Sequence, residues 1–543
     1  MTTPTPGHDA SAGRRTSPWV RIEDRAAAML IRSGGLAVLL TMLGLLAFLV
    51  WSAYPLFLGG RVLGERARFK PETPAPLWLA VDPAFDRFVT LERDGFFRVH
   101  AIDDGEVLAQ TPALEGGGVP AAVRVESGEG WLTLTRDDGR FEIVRAVLEW
   151  EPAPRNTETK TGLARAEDPS QYLQCDETDC KRWNLTADRL GRFKPIKGAN
   201  AVDTRGKTRL KRYVAAAGED GIITGVLTGR RALGAGTVRY RLTLDEPAPV
   251  EKAEPPAWVF ASGSGNWAAA VWSDGTLGVR DRASESPAVR LVETGEPITV
   301  AAMLLGSETL LTGDGRGGVS GWVVRSGFPR LVHRRALGKA PVTSIRPGDR
   351  DRTIMVGFAD GSAVMYNILS DKVIVRIGPD AGTHAHPVAL AAASPDSRAV
   401  CVIDDSGRAV VSSVEPGHVE VSMRTLFGKV LYEGYDEPAY VYQSTGSTQA
   451  EPKFSLIPLI FGTMKATVVA MFVAVPLAVF AAIYSSEFLH RDVRRYVKPA
   501  IELMASLPSV VLGFIAAMVV APFVRDQLPR MMTFALIGPL AVV

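Results

Sequence analysis

Seven times between residues 77 and 420, an alternating apolar strand runs into a tight turn and then a second alternating strand. The turns are Asp94-Gly95, Asp138-Gly139, Asp220-Gly221, Asp274-Gly275, Gly317-Gly318, Asp360-Gly361 and Ser406-Gly407. An Asp-Gly pair between such strands is a strong β-hairpin signal. It predicts a type I′ turn, which needs positive φ at both central residues.

The spacing selects an architecture. Successive turn glycines lie 44, 82, 54, 42, 44 and 46 residues apart. This period is that of four-stranded propeller blades, about 40–45 residues each. Read as two periods with one turn signature lost, the 82-residue interval predicts seven or eight blades. The last unit, with its Ser394-Pro395-Asp396 turn, strand, hairpin and strand, resembles a WD40-like blade. The Trp-Asp dipeptide of true WD40 repeats is missing, so the likeness is to a WD40-like or quinoprotein-like shape. A pair of β-sandwiches would also have many hairpins, but the fixed period favours the propeller.

Residues 151 to 210 break the pattern, being polar and rich in charge, and read as a degenerate blade with an inserted loop. They contain Cys175 and Cys180, for which a local disulfide is expected. Two thiols without nearby histidines make a poor metal ligand set. Cys401 alternates inward in an apolar strand and reads as a core residue.

The apolar residues are segregated. Gly34 to Gly60 carries no charge and is long enough to cross a bilayer. Before it stand Arg14, Arg15, Arg21, Arg25 and Arg32, which put the N-terminal tail in the cytoplasm. Apolar segments return at 454–486 and 503–524, separated by a loop with Arg491, Arg494, Arg495 and Lys498. This second basic segment falls two crossings after the first, so both are cytoplasmic. The expected layout is a cytoplasmic tail at 1–33, a transmembrane helix at 34–60 and an external domain at 61–453. A second helix at 454–486, a cytoplasmic loop at 487–502 and a third helix at 503–524 follow. Residues 531–543 read as the start of a fourth helix, cut short, and the chain as a truncated sequence. The formal net charge of +2 gives no support to nucleic-acid binding.

The run from Tyr442 to Val524 carries PLIFGTMKAT, AVPLAVFAAIYSSEF, a basic RDVRR loop and ELMASLPSVVLGF, in that order. It closely resembles phosphate ABC transporter permeases of the PstC type, in the long form with a large domain between the first two helices. The resemblance implies α-helical, MetI-like transmembrane permease segments in the bacterial inner membrane, and with the hairpin period the expected fold is a mixed membrane protein: these segments plus a periplasmic all-β, WD40-like propeller of seven or eight blades. It also implies an ABC ATPase subunit, a second phosphate permease subunit and a periplasmic phosphate-binding protein as partners. ATP hydrolysis would belong to the ATPase, with no covalent chemistry and no cofactor here. The alternative is a membrane-anchored propeller acting as sensor or scaffold.

Four residues are pathway candidates: Lys465, Ser506, Pro508 and Ser509. Pro508 with the two serines would start a helical segment whose amide end faces an anion. It equally suits an ordinary first turn near the interface. Lys465 would attract phosphate from within the pathway, or snorkel to the outer interface. Gly206-Lys207-Thr208 ends like a phosphate-binding loop, but its first glycine is replaced by Ala201 and no apolar strand precedes it. His384-Ala385-His386 lacks a third metal ligand nearby.

Overall fold

The structure, a computed structural model, describes residues 18–542 except 71–74, 155–160, 177–178, 200, 219–220, 232–237, 253, 285–287, 326, 379–385, 433–434, 436, 444–451 and 507–508. Asp220, His384 and Pro508 therefore lie outside the described residues. The chain divides into two units, residues 1–458 and 459–543.

The first unit opens with helix α1, Pro18–Ala53, and a 3₁₀ turn, Tyr54–Phe57. Seven antiparallel sheets follow, numbered I to VII in chain order. Sheet I holds Trp78–Val81, Arg87–Leu91, Phe96–Ala101 and Val107–Pro112, each hydrogen-bonded to the next. Sheets III to VI repeat this simple order over residues 201–244, 258–293, 298–336 and 342–377. Sheet VII takes three strands from residues 388–415 and its fourth, Arg61–Phe69, from the start of the domain. A short helix, α2, Met423–Phe427, lies beyond the sheets.

Six of the seven turn glycines fall between the second and third strands of one sheet, Gly221 opens the third strand of its sheet, and all seven have positive φ. The turn type differs from the expectation. Glu92 N–H donates to the Phe96 carbonyl at 2.9 Å and Gly95 N–H to the Glu92 carbonyl at 3.1 Å. Trp272, Gly275 and Thr276 repeat this pairing. It is a three-residue loop, a type I turn followed by a left-handed glycine, in which glycine alone needs positive φ. Among the described residues the non-glycine residues at positive φ are Phe85, Ser307, Asp371 and Ser397, none of them a turn aspartate. The aspartates act through their side chains instead. Asp94 and Asp274 accept the N–H of the residue two positions on, at 3.1 and 3.0 Å.

The 82-residue interval is not two sheets. Sheet II has six strands because Phe141–Ala153 and Cys180–Phe193 pair as a long ribbon, extended by Gln171–Cys175 and Gly162–Arg165. The polar segment after 151 is thus the outer part of that sheet. Cys175 and Cys180, opposite one another in its register, are joined as a disulfide. Among the described residues there is no eighth such sheet.

The core is built between sheets. Seven apolar clusters each combine residues of two successive sheets. Phe97 and Leu132 join sheets I and II, Phe141 and Val214 join II and III, and Ala215 and Trp272 join III and IV. Leu277 and Met303, Leu311 and Phe358, and Met365 and Val400 continue the series. Leu79 and Phe88 of sheet I meet Cys401 and Ala67 of sheet VII, so the series returns to its start. Cys401 is buried, and burial pushes its thiol up to about 12.

The second unit is helical. Helix α3, Ile457–Ile483, leads into it and continues as a π-helical turn, Tyr484–Phe488. Then come α4, Arg491–Ser506, α5, Ser509–Ile515, a π-helical turn, Ala516–Val520, and α6, Ala521–Val542. The segment read as a loop at 487–502 is therefore mostly helix, since charge does not oppose helix formation at an exposed face. Likewise α6 runs without interruption through Arg525–Arg530.

Candidate functional site

Among the described residues, three stretches are long and apolar enough to cross a membrane: Arg25–Phe57, Ile457–Phe488 and Leu512–Arg530. No residue of their apolar windows is covered by protein. Uncovered apolar helices of this length call for lipid or further helices around them. The third stretch begins nine residues later than the sequence predicted.

Lys465 stands in the first third of α3, exposed among apolar neighbours such as Phe461 and Val468. Ser506 is the last residue of α4, and Ser509, exposed, is the first of α5. No hydrogen bond among the described residues joins Lys465 to this junction. Arg494 does tie α4 to the end of α3, its Nε donating to the Ser485 carbonyl at 2.9 Å. Helix-borne hydroxyls nearby are turned inward: Thr463 donates to the Ile460 carbonyl and Thr467 to that of Thr463, both at 2.8 Å. A hydroxyl spent on its own backbone is cheap to hold in an apolar setting.

The sheet domain has a structural feature that the sequence did not reveal. Lys372 Nζ donates to the Leu58 carbonyl at 2.7 Å and to the His418 carbonyl at 3.3 Å. Leu58 directly follows the turn after α1, and His418 lies just past the end of sheet VII. The points where the chain enters and leaves the domain are thus held side by side. Burial lowers the Lys372 pKa from its ordinary value. Beyond His418, Ser422 caps α2 by accepting the Thr425 N–H, and the Leu456 N–H donates to the Leu426 carbonyl at 2.8 Å. Leu456, just before α3, is thus tied back to α2.

A second feature is a cavity of about 200 Å³ lined by the inner strands of all seven sheets. Arg124, Arg205 and Arg346 line it, and no Asp or Glu does. Arg124 and Arg346 are each the one charged residue of their strands, whereas the Arg205 strand also carries Asp203 and Lys207. Among the described residues no group of three or more His, Cys, Asp or Glu side chains could hold a metal ion. Gly206-Lys207-Thr208 lies at the end of strand Ala201–Thr208, not before a helix.

Comparison with known proteins gives limited but specific matches. No family model matches the chain. A stretch of 79 residues is 36% identical to the probable ABC transporter permease protein YqgH of Bacillus subtilis, covering 14% of this chain and 26% of that protein. The phosphate transport system permease protein PstC of Mesorhizobium japonicum is 37% identical over 73 residues, 13% of this chain and 22% of that one. Its counterpart in Xylella fastidiosa is 33% identical over 104 residues, 18% and 32% respectively. The chain thus spans about a fifth to a third of the length of these curated relatives. A crystal structure of Chaetomium thermophilum Raptor aligns with 66% of this chain and 30% of its own, at a TM-score of 0.43 and 12% identity. The matched stretch is similar to ABC and phosphate permeases, and the apolar helices suit a membrane protein.

Proposed function

We propose that this chain is the permease subunit of an ATP-driven phosphate importer in the bacterial inner membrane, with its N-terminus cytoplasmic. The seven sheets form a periplasmic seven-bladed propeller inserted between the first and second transmembrane helices. A separate ABC ATPase subunit hydrolyses ATP, a second permease subunit completes the pathway, and a phosphate-binding protein delivers the substrate. Lys465, Ser506, Pro508 and Ser509 are the pathway candidates on this side of the pore.

The observation that carries this reading is the 36–37% identity to the two permeases over 73 to 79 residues. Two structural relationships favour the layout. The seven clusters linking successive sheets, with sheet VII meeting sheet I, suit a ring of blades. The shared lysine at Leu58 and His418 suits a domain whose two ends both return to one membrane surface.

The test is phosphate uptake. A strain lacking its own phosphate permease would be given the full gene with its neighbouring transporter genes, and labelled phosphate accumulation measured. ATP-dependent uptake that disappears when this gene is deleted supports the proposal. Normal expression in the membrane with no uptake, and no ATPase co-purifying, would favour a membrane-anchored sensor or scaffold.

A further inference from the structure

The cavity enclosed by the seven sheets collects positive charge. Arg205 is 1% exposed, and its Nε donates to Asp203 Oδ2 at 2.9 Å. Asp203 is itself fixed by the Ala261 N–H, also at 2.9 Å, so sheet IV sets the direction of the Arg205 side chain. Arg124 donates to the Val123 and Ala257 carbonyls at 3.1 and 3.2 Å. Arg346 lies 3.8 Å from Asp349 Oδ1 and 5.8 Å from the centre of the Trp78 ring.

Four guanidinium groups, those of Arg124, Arg205, Arg346 and the neighbouring Arg212, thus meet three carboxylates, Asp203, Asp349 and Glu126, the last paired with Arg212. Burial lowers the pKa of both Arg124 and Arg346; a carboxylate opposes this in each case, and the Arg205 charge adds to it in each. Arg205 is close enough to repel both Arg124 and Arg346. A buried surplus cation is costly unless an anion joins it.

The unpaired polar atoms point the same way. Among the described residues, Arg205 Nη1, Arg124 Nε and Trp78 Nε1 are buried and have no acceptor. All three belong to residues that line the cavity, and all three are donors. No lining side chain is left as an unsatisfied acceptor. The cavity is therefore short of acceptors and of negative charge, and wide enough for one small ion with water.

We infer that this cavity is a binding site for a small inorganic oxyanion of phosphate or sulfate size, held by Arg124, Arg205 and Arg346. A tetrahedral oxyanion offers several acceptor atoms and matches guanidinium groups in pairs. The inference rests on the sheet domain alone and stands apart from the permease reading.

Isothermal titration of the full-length chain in detergent with inorganic phosphate, then with sulfate, tests it. One saturable site is expected, weakened about tenfold or more by Arg205→Gln and by Arg346→Gln, since each removes a charge-assisted donor. Circular dichroism checks folding. If Arg205→Gln fails to fold because Asp203 loses its partner, Arg346→Gln carries the test. Absence of saturable binding to the parent chain would mean that water alone fills the cavity, and overturns the inference. Binding that both folded variants retain would lie elsewhere in the chain, and overturns it equally while leaving the permease reading intact.

Discussion

Arg61 Nε lies 2.5 Å from Glu415 Oε2, joining residues 354 positions apart. The two face each other at the end of the register that pairs Arg61–Phe69 with Ala409–Glu415. Both side chains are largely exposed, so the ion pair itself contributes ~0–1 kcal/mol. The strand matters more than the pair. Ala67, from the same strand, is 7% exposed within the cluster between sheets VII and I. Arg61→Ala should leave the thermal midpoint of the sheet domain nearly unchanged. Ala67→Asp should destabilise it by several kcal/mol, on the order of the cost of an unpaired buried charge. Thermal unfolding of the full chain in detergent, followed by tryptophan fluorescence, separates the two outcomes.

The turn glycines support a second comparison. Gly275 has φ +96°, and a Cβ there would stand 2.5 Å from the Glu296 carbonyl oxygen. Gly295 has φ +84°, but a Cβ there meets nothing within 4 Å. Gly275→Ala therefore adds a backbone clash to the left-handed strain, and Gly295→Ala adds the strain alone. The second should cost ~1 kcal/mol and the first at least ~2 kcal/mol. Equal losses in chemical unfolding would show that the approach of Glu296 is not what fixes glycine at 275.

These turns were legible in the sequence because a left-handed position leaves a residue-type mark. The pairing of 61–69 with 409–415 leaves none, since it depends on two distant strands and no turn. The six-stranded sheet II escaped the sequence reading for a related reason. Its long ribbon from Phe141–Ala153 to Cys180–Phe193 carries no Asp-Gly signature, so its length looked like a lost repeat. Helix α4 was hidden by Arg491, Arg494, Arg495 and Lys498, which mark a cytoplasmic segment but not its conformation. Arg124, Arg205 and Arg346 stand on three separate strands, and only the fold brings them to one cavity. Of the four pathway candidates, the structure sets Ser506 and Ser509 on either side of a helix junction. Lys465 stands on a different helix.

The membrane layout is open to a labelling test, because the native cysteines are quiet. Cys175 and Cys180 are joined, and Cys401 is buried with a raised pKa. A new cysteine would thus report alone. Arg140 is exposed beside the turn of sheet II, and Tyr496 is exposed on α4. With the proposed topology, Arg140→Cys should react with a membrane-impermeant maleimide in intact spheroplasts. Tyr496→Cys should react only after permeabilisation. Labelling of Tyr496→Cys from outside would reverse the proposed orientation of the helical unit.

His333 supplies a pH prediction. Its Nε2 lies 2.5 Å from the Tyr366 hydroxyl, which donates to Asp371 Oδ1 at 2.6 Å. The hydroxyl proton is spent on Asp371, so the oxygen accepts from His333, which suits a neutral imidazole with its proton on Nε2. Burial lowers the His333 pKa from 6.5 to about 4; Asp371 opposes the shift, and Arg424 and Arg335 reinforce it. The unfolded chain therefore binds a proton between pH 6.5 and 4 that the folded chain refuses. The contribution is complete above pH 6.5 and is lost as the pH falls towards 4, to a limit of ~3 kcal/mol. Unfolding free energy measured across this window should fall more steeply for the parent chain than for His333→Gln, which cannot titrate. The His333 imidazole resonance, identified by its absence in His333→Gln, should have a midpoint near 4 in the folded protein. A midpoint near 6.5 with parallel pH profiles would show that burial does not hold the ring neutral.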